Sequence, residues 1–477
     1  MASIVVRNQF AQLSGEFPEE EVRQATSYAV RGARFTRRYL ERRADGTRRW
    51  DGRRHLLLPI DHLFPAGLVG SVHAALRDHF VPTQVQDLTE YPSPRHPGPL
   101  VFDLPGGGAL RDYQLAGIRQ ALVRRRGILK IATGGGKTVL AAGLIAQLGL
   151  PTILLVDSKD LLHQTHEVLR RHLRLPIGVL GDGVWREADV TVATVATLSA
   201  RGDRARAFLQ SRKLLIADEV HHGASDSAFG VLMRCPAPYR IGLSATPTGR
   251  SDNADLKTIA AIGPVIFEVP AAELIASGVL VRPVVEFVPI EEPRLPRGAS
   301  YASVYRQGIV ECDVRNRRVA AHAQAFHARG LQTLILVREL DHGRLLVHLL
   351  AEADVPAEFI CGEAQSGDAR REVLDRFRRG ELRCLVASEI LDEAIDLPGI
   401  DALLLAGGGK SEIQTIQRIG RGMRTGKRAA VLSVVDFADL THRYLARHSL
   451  ERLRTYRGEG AIEIHYRGCA LERAGET

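Results

Sequence analysis

Short apolar runs punctuate the chain from Leu110 onward, at Ile128–Ile131, Thr152–Val156, Val190–Ala193, Lys213–Ala217, Tyr239–Leu243 and Val265–Glu268. Stretches with helical character separate most of them. Apolar runs of this kind predict strands buried on both faces, and strands alternating with helices predict a parallel sheet covered on either side. A second series follows at Val284–Val288, Thr333–Val337, Glu358–Ile360, Cys384–Ala387, Ala402–Leu405 and Ala429–Val435, so a second α/β domain of similar size is expected. Arg457–Thr477 reads as a tail with one short strand-like piece, Ile462–Tyr466.

Before Leu110 the pattern is mixed. Phe17–Tyr28 predicts a helix, with Pro18 near its start and Glu19, Glu20 and Glu21 in the first turn. Leu68–Phe80 predicts an amphipathic helix. Between them lies an arginine-rich segment, residues 31–60, in which Asp45-Gly46 and Asp51-Gly52 are turn signals between short β-like pieces. Residues 91–108 are rich in Pro and Gly and read as a linker. The expected organisation is a small α+β domain over 1–90, the linker 91–108, α/β domains over 109–275 and 276–456, and a tail over 457–477.

A chain of 477 residues is too long for one core, which agrees with several domains. No apolar run is long enough to span a membrane, and the first residues lack a charged-then-apolar export pattern, so a cytoplasmic protein is expected. The five cysteines, Cys235, Cys312, Cys361, Cys384 and Cys469, are scattered without a CxxC pair. That argues against a disulfide framework and a zinc site. The net charge of +9 suits a polyanionic partner, and equally suits a mere excess of arginine.

Composition leaves the chemistry open; three local patterns narrow it. The strand Ile128–Ile131 runs into the glycine-rich turn Ala132–Gly136, after which Lys137 and Thr138 open an apolar helix ending at Gly149. Glycines let backbone N–H groups converge on an anion, and a helix N-terminus adds positive potential. Thr133, Gly134, Gly135, Gly136, Lys137 and Thr138 therefore form a candidate phosphate cradle, with Lys137 on the phosphates and Thr138 on Mg²⁺. Asp218-Glu219 ends the apolar run Lys213–Ala217, where ligands of parallel sheets bind. Asp218 is a candidate Mg²⁺ holder and Glu219 a candidate base for an attacking water. His221 and His222 follow without further spaced metal ligands. Gln417, Arg421 and Arg424 share one helical face, as arginines aimed at a phosphate would, or as a solvated basic helix would. Asp396 lies in a loop within reach of a ribose or γ-phosphate, and Ser244-Ala245-Thr246 is a polar triplet at another strand end.

The ordered segments LRDYQ (110–114), ATGGGKT (132–138), LLVDSKDLLHQ (154–164), VATVATL (192–198), DEVHH (218–222), LSATP (243–247), VASEILDEAIDLP (386–398) and QRIGRGMR (417–424) resemble those of superfamily-two DNA helicases of the DEAD/DEAH-box type. DEVHH and the later VVDFAD with HRYLARHS are similar to the XPB-like branch. The segment around Trp50-Asp51-Gly52 and Pro65–Gly70 resembles the N-terminal domain of the UvsW-type phage recombination helicases. Ala394 stands where the family commonly has Gly. The resemblance spans roughly residues 110–440 and implies an α/β fold of two tandem RecA-like parallel-sheet domains, preceded by the small α+β domain. It implies ATP and Mg²⁺ as cofactors, with Gln114 reading the adenine and Arg421 and Arg424 acting as arginine fingers. It implies a monomeric motor on branched DNA (forks, Holliday junctions and R-loops), tracking 3′ to 5′, in the cytoplasm of a bacterial or phage-infected cell.

Nucleic-acid contacts in such motors go mostly to the phosphate backbone. Candidates are Ser158, Lys159, Thr194, Arg338 and Ser388, each of which reads equally well as a helix cap or a solvated polar group. Arg48, Arg49, Arg53 and Arg54 flank Trp50, an arrangement that serves base stacking with phosphate neutralisation or a small hairpin core. Three rivals stand beside the helicase reading: a clamp using ATP as a conformational ligand, a restriction-system motor with a nuclease partner, and an RNA helicase.

Overall fold

The computed structural model describes residues 1–30, 32–42, 49–95, 103–220, 225–245, 255–361, 367–388, 400–409, 431–458 and 462–466. The chain divides into two compact units, Met1–Ile131 with Gly136–Val269, and Ala132–Gly135 with Pro270–Thr477. Among the described residues no helix is long and apolar enough to cross a membrane.

The first unit begins with strands β1 (Ala2–Val6), β2 (Phe10–Gly15), β3 (Ser27–Ala29), β4 (Arg53–His55), β5 (Leu63–Pro65) and β6 (Thr83–Asp87). Four of them form a sheet in the order β5-β2-β1-β6, and β3 pairs antiparallel with β4. In β2 alternate residues are buried, as one-sided packing requires. The helix predicted over Phe17–Tyr28 spans only Glu19–Ala25. Thr26 ends it by donating its hydroxyl to the Val22 carbonyl, 2.8 Å away, and Ser27–Ala29 then joins β3.

Residues from Arg126 build an eight-stranded sheet from β7 (Arg126–Ile131), β8 (Thr152–Val156), β9 (Ile177–Gly181), β10 (Val184–Arg186), β11 (Val190–Thr194), β12 (Leu214–Ala217), β13 (Tyr239–Ser244) and β14 (Val265–Val269). Its order is β10-β9-β11-β8-β12-β13-β7-β14, parallel except at the β9–β10 hairpin. The central β8 and β12 are buried at every position, which is why their sequences are unbroken apolar runs. Strands β9 and β10 were not foreseen: Gly178, Gly181 and the Asp182-Gly183 turn dilute their apolar signal.

The N-terminal sheet shares a core with this domain. Ile4, Leu13, Phe64, Leu68, Val72 and Leu76 cluster with Ala260, against which Phe229, Leu256 and Ile259 also pack. Gly67 makes the contact possible, since a Cβ there would lie 1.9 Å from the Ile259 carbonyl oxygen. Polar bonds frame the seam. The side chains of Asn8 and Gln9 donate to the carbonyls of Pro236 and Met233 at 2.8 and 2.6 Å, and Arg126 donates to the Asn8 carbonyl at 2.6 Å.

The second unit holds β15 (Arg282–Ile290), β16 (Thr333–Val337), β17 (Ala357–Ile360), β18 (Cys384–Ser388), β19 (Ala402–Leu405), β20 (Val431–Asp439) and β21 (Glu463–Tyr466). They form a sheet in the order β17-β18-β16-β19-β20-β15-β21, with every pairing parallel. Its core gathers Ile335, Val337, Leu346, Val386, Leu404 and Phe437. Both large sheets thus have the parallel α/β architecture expected from the two series of apolar runs. Beyond β19, three buried side chains hold the chain by its carbonyls. Arg315 donates to Ala406, Tyr305 to Gly407 and Arg452 to Gly409, at 2.6, 2.6 and 2.7 Å.

Candidate functional site

The glycine turn after β7 closes with the Gly135 N–H donating to the Ala132 carbonyl at 3.0 Å. Gly134 and Gly136 take positive φ values of 85° and 72°, the left-handed region that glycine enters without strain. A Cβ on Gly136 would also lie 2.7 Å from the Gln114 amide nitrogen. Gly136 gives helix Lys137–Leu148 no capping side chain, so its first-turn N–H groups keep their donor capacity for an anion. The Thr133 hydroxyl is buried without a hydrogen-bond partner among the described residues. An orphaned hydroxyl beside a glycine cradle fits a phosphate ligand.

Gln114 sits at the start of helix Asp112–Arg124 and is 3% exposed. Its amide oxygen accepts from the Arg111 N–H at 2.9 Å and its amide nitrogen donates to the Gly136 carbonyl at 3.2 Å. It therefore braces the cradle from behind.

Strand β12 delivers the acid pair. Lys137 Nζ lies 3.0 Å from Glu219 Oε1, which brings the end of the cradle and the acid pair together. The Glu219 N–H donates to Asp218 Oδ1 at 3.0 Å. Glu219 has φ 44°, a costly conformation for a residue with a Cβ, and such strain clusters at functional sites. Loss of water pushes the Asp218 carboxyl up to about 6, the Glu219 charge adds to this, and Lys137 opposes it. Behind the pair is a cavity of about 10 Å³, roomy enough for one water and lined in part by Asp157, Asp218 and Glu219. Asp157 escaped the sequence reading; its signal was an acid directly after the buried β8. The adjacent Asp218 and Glu219 beside Lys137 leave local negative charge that a divalent cation would offset, and Asp218 with Thr138 are the residues that would hold Mg²⁺ there. Among the described residues no cluster of three or more His, Cys, Asp or Glu is arranged to bind a metal by itself.

The proposed backbone contacts have local partners. Ser158 and Thr194 cap helices, accepting from the N–H groups of Leu161 and Thr197. Lys159 pairs with Asp182 at 2.9 Å. The Arg338 guanidinium lies 5.6 Å from the Tyr305 ring centre. Ser388 is fully buried at the end of β18, its hydroxyl unpartnered among the described residues. In the N-terminal unit Trp50 donates its indole N–H to the Arg53 carbonyl at 2.7 Å, so the ring is part of the hairpin. Arg53 spends its guanidinium on Ser27, with bonds of 2.8 Å to hydroxyl and carbonyl. Arg54 reaches Asp226 at 2.9 Å and Arg49 reaches Glu41 at 3.4 Å. Arg48, His221, His222, Thr246, Asp396, Gln417, Arg421 and Arg424 lie outside the described residues.

Comparison with known proteins agrees with this geometry. Residues 108–249 match the family described as "Type III restriction enzyme, res subunit", and residues 318–426 match "Helicase conserved C-terminal domain". The chain is 34% identical over 326 residues to Rad25 of Haloarcula marismortui, covering 66% of this chain and 50% of that protein. It is 26% identical over 359 residues to the DNA 3'-5' translocase XPB2 of Sulfurisphaera tokodaii, covering 68% of this chain and 80% of that protein. The chain thus spans about half the length of the Rad25 relative. Among solved structures, the ATP-dependent Type ISP restriction-modification enzyme LlaBIII bound to DNA aligns with a TM-score of 0.56 at 15% identity, over 77% of this chain and 32% of that one, a likeness of fold. With the glycine cradle, the acid pair and both matched regions in chain order, this chain belongs to the superfamily-two helicases, in their XPB-like group.

Proposed function

We propose that the chain is an ATP-driven DNA helicase or translocase that moves 3′ to 5′ along one strand and remodels branched DNA such as forks and Holliday junctions. The observation that carries the chemistry is the Lys137–Glu219 contact of 3.0 Å beside a strained, partly desolvated acid pair. Lys137 is paired with Glu219 there, and a triphosphate would compete for it. As Lys137 turns to the phosphates, Glu219 is released to orient and deprotonate the attacking water. Mg²⁺ held by Asp218 and Thr138 would neutralise phosphate charge during transfer. Arg421, Arg424 and Gln417 are assigned to the developing charge on the γ-phosphate, and Asp396 to the nucleotide's ribose or γ-phosphate. The name of the Sulfurisphaera relative, a 3'-5' translocase, supports the direction of travel. The net charge of +9 and the candidates Ser158, Lys159, Thr194, Arg338 and Ser388 support a grip on the sugar–phosphate backbone. The resemblance of the N-terminal unit to UvsW-type helicases supports branched substrates.

The test is ATP turnover with fork, Holliday junction, duplex, single-stranded DNA and RNA, beside two variants. Lys137→Ala is expected to lose ATP affinity and turnover together. Glu219→Gln is expected to keep binding and lose turnover by roughly 10²- to 10⁴-fold. Equal loss of binding in both variants would overturn the roles, and stimulation by RNA alone would overturn the substrate.

A further inference from the structure

The seam between the β3–β4 hairpin and the first motor domain encloses a cavity of about 730 Å³, large enough for a nucleotide. Its walls combine aromatic faces with surplus positive charge. Trp50 is fixed by its bond to the Arg53 carbonyl, and the Arg38 guanidinium lies 5.5 Å from the ring centre. The Lys257 ammonium lies 5.3 Å from the Tyr28 ring centre. Arg54 and Lys257 both bind Asp226 Oδ1, at 2.9 and 2.6 Å, so two cations share one carboxylate. Arg38, Arg53, Arg54 and Lys257 against Asp226 leave the lining with a surplus of three positive charges. Among the described residues Arg38 has no carboxylate partner.

A second arginine-on-aromatic pair lies nearby in the sequence, at Arg34 and Phe35. Phe35 is 77% exposed, and the Arg34 guanidinium lies 4.8 Å from its ring centre. Two arginine-on-aromatic pairs within one short segment suit successive bases of a strand better than a single free nucleotide. The flanking Arg37 is likewise exposed. Flat rings stack on any base, and guanidinium and ammonium groups meet any phosphate, so such a surface is indifferent to sequence.

We infer that this cavity takes an unpaired nucleotide of the DNA substrate, its base stacked at Trp50 and its phosphate met by Arg38, Arg54 and Lys257. The inference rests on the helicase reading and adds a place where a strand is held outside the motor's own tracking surface. Lys257 lies on helix Asp255–Ala261, downstream of the Leu243-Ser244-Ala245 strand end, and Asp226 opens helix Asp226–Arg234 next after the acid pair. The site is therefore built jointly by the N-terminal unit and the motor domain, within one compact unit.

The chain has two tryptophans, Trp50 and Trp185. In a full-length Trp185→Phe protein Trp50 alone fluoresces. Titration with a dT12 oligonucleotide is expected to quench it saturably, with AMP leaving it unchanged at equal phosphate concentration. Arg38→Glu in the same background, an exposed change outside the hairpin, is expected to weaken dT12 binding about tenfold or more. Absence of quenching by dT12, equal quenching by AMP, or unchanged affinity in Arg38→Glu would each overturn the inference. The two readings fail separately. DNA-stimulated ATPase without a Trp50 response removes the pocket and leaves the motor. Loss of DNA stimulation altogether removes the motor reading.

Discussion

Among the described residues two clusters of acids lie wholly or partly out of water, one per unit, and they are built to opposite ends. In the first, Lys137 is the cation beside Asp218 and Glu219, Asp157 adds further negative charge, and the Asp218 carboxyl is held up to about 6. In the second, Asp436 and Asp439 near the end of β20 face Arg452 and Arg315. Arg452 grips both Asp436 oxygens at 2.8 and 2.9 Å, the Tyr456 hydroxyl adds a bond of 2.6 Å, and the Ser449 hydroxyl accepts from the Asp439 N–H at 3.0 Å. Burial pushes the Asp439 carboxyl up while Arg315 pulls it down. Both clusters carry the cost of desolvated charge. Among the described residues the second pair is met by two guanidinium groups and a tyrosine hydroxyl, whereas the first has the one ammonium of Lys137 beside two adjacent carboxylates. The difference teaches that an acid marks a candidate ligand site through the local balance of charge, not through burial alone.

The largest way to break this comparison is to remove a cation from the satisfied cluster. Arg452→Ala leaves Asp436 buried with the Tyr456 hydroxyl and frees the Gly409 carbonyl. Breaking a buried pair from one side typically costs about 3–5 kcal/mol. Urea unfolding followed by far-UV circular dichroism is expected to show that loss. A cost below about 1 kcal/mol would mean the second cluster is not structural.

Removing an acid from the first cluster is expected to act in the opposite sense. A folded-state pKa raised from 3.8 to about 6 means the fold disfavours the Asp218 charge. That contribution is favourable below pH 4, is lost as pH rises through 6, and is absent at neutral pH. Asp218→Asn should therefore stabilise the nucleotide-free protein by about 1–3 kcal/mol at pH 7.5, while abolishing Mg²⁺-dependent turnover. Equal stability of variant and parent at both pH 4 and pH 7.5 would contradict it.

The sequence revealed whatever is local and missed whatever is assembled. Thr152–Val156, Thr333–Val337 and Ala402–Leu405 emerge with the boundaries read from the sequence, because strands buried on both faces are written as unbroken apolar runs. The cradle and the acid pair were legible for the same reason, each being one short segment with its own chemistry. Their junction at Lys137 and Glu219 needed only the parallel fold. The role of Asp226 was not legible, since its partners Arg54 and Lys257 lie far away in sequence. Nor was Gly67, whose meaning rests on the Ile259 carbonyl across the seam. Residues 91–108 read as a linker, and the core shared around Ala260, which the sequence did not reveal, joins residues 1–90 to the first α/β domain. A deletion of residues 1–90 would uncover that core, so point changes at exposed arginines are the cleaner probe of the N-terminal unit.

The smallest expected effect sharpens the comparison further, because it gives the two units opposite responses to acid. His342 is buried in the second unit, its Nε2–H donating to Asn316 Oδ1 at 2.8 Å and its Nδ1 unpartnered among the described residues. Burial, aided by the Arg315 charge, lowers its pKa from 6.5 to about 3. A depressed histidine pKa gives stability that is complete above the unfolded value of about 6.5 and is lost as pH falls toward 3. Between pH 8 and pH 6 the second unit should lose roughly 1 kcal/mol through this group. Over the same range protonation of Asp218 relieves the first unit. Trp50 and Trp185 both belong to the first unit, so tryptophan fluorescence follows that unit and far-UV circular dichroism follows both. On acidification the two urea midpoints should shift relative to each other, the fluorescence midpoint rising against the dichroism midpoint. His342→Gln retains a donor for Asn316 without the titration, and should flatten the second response while leaving the first. If the second unit lost stability equally in His342→Gln and its parent, the acid sensitivity would belong to another group and this part of the contrast would fall.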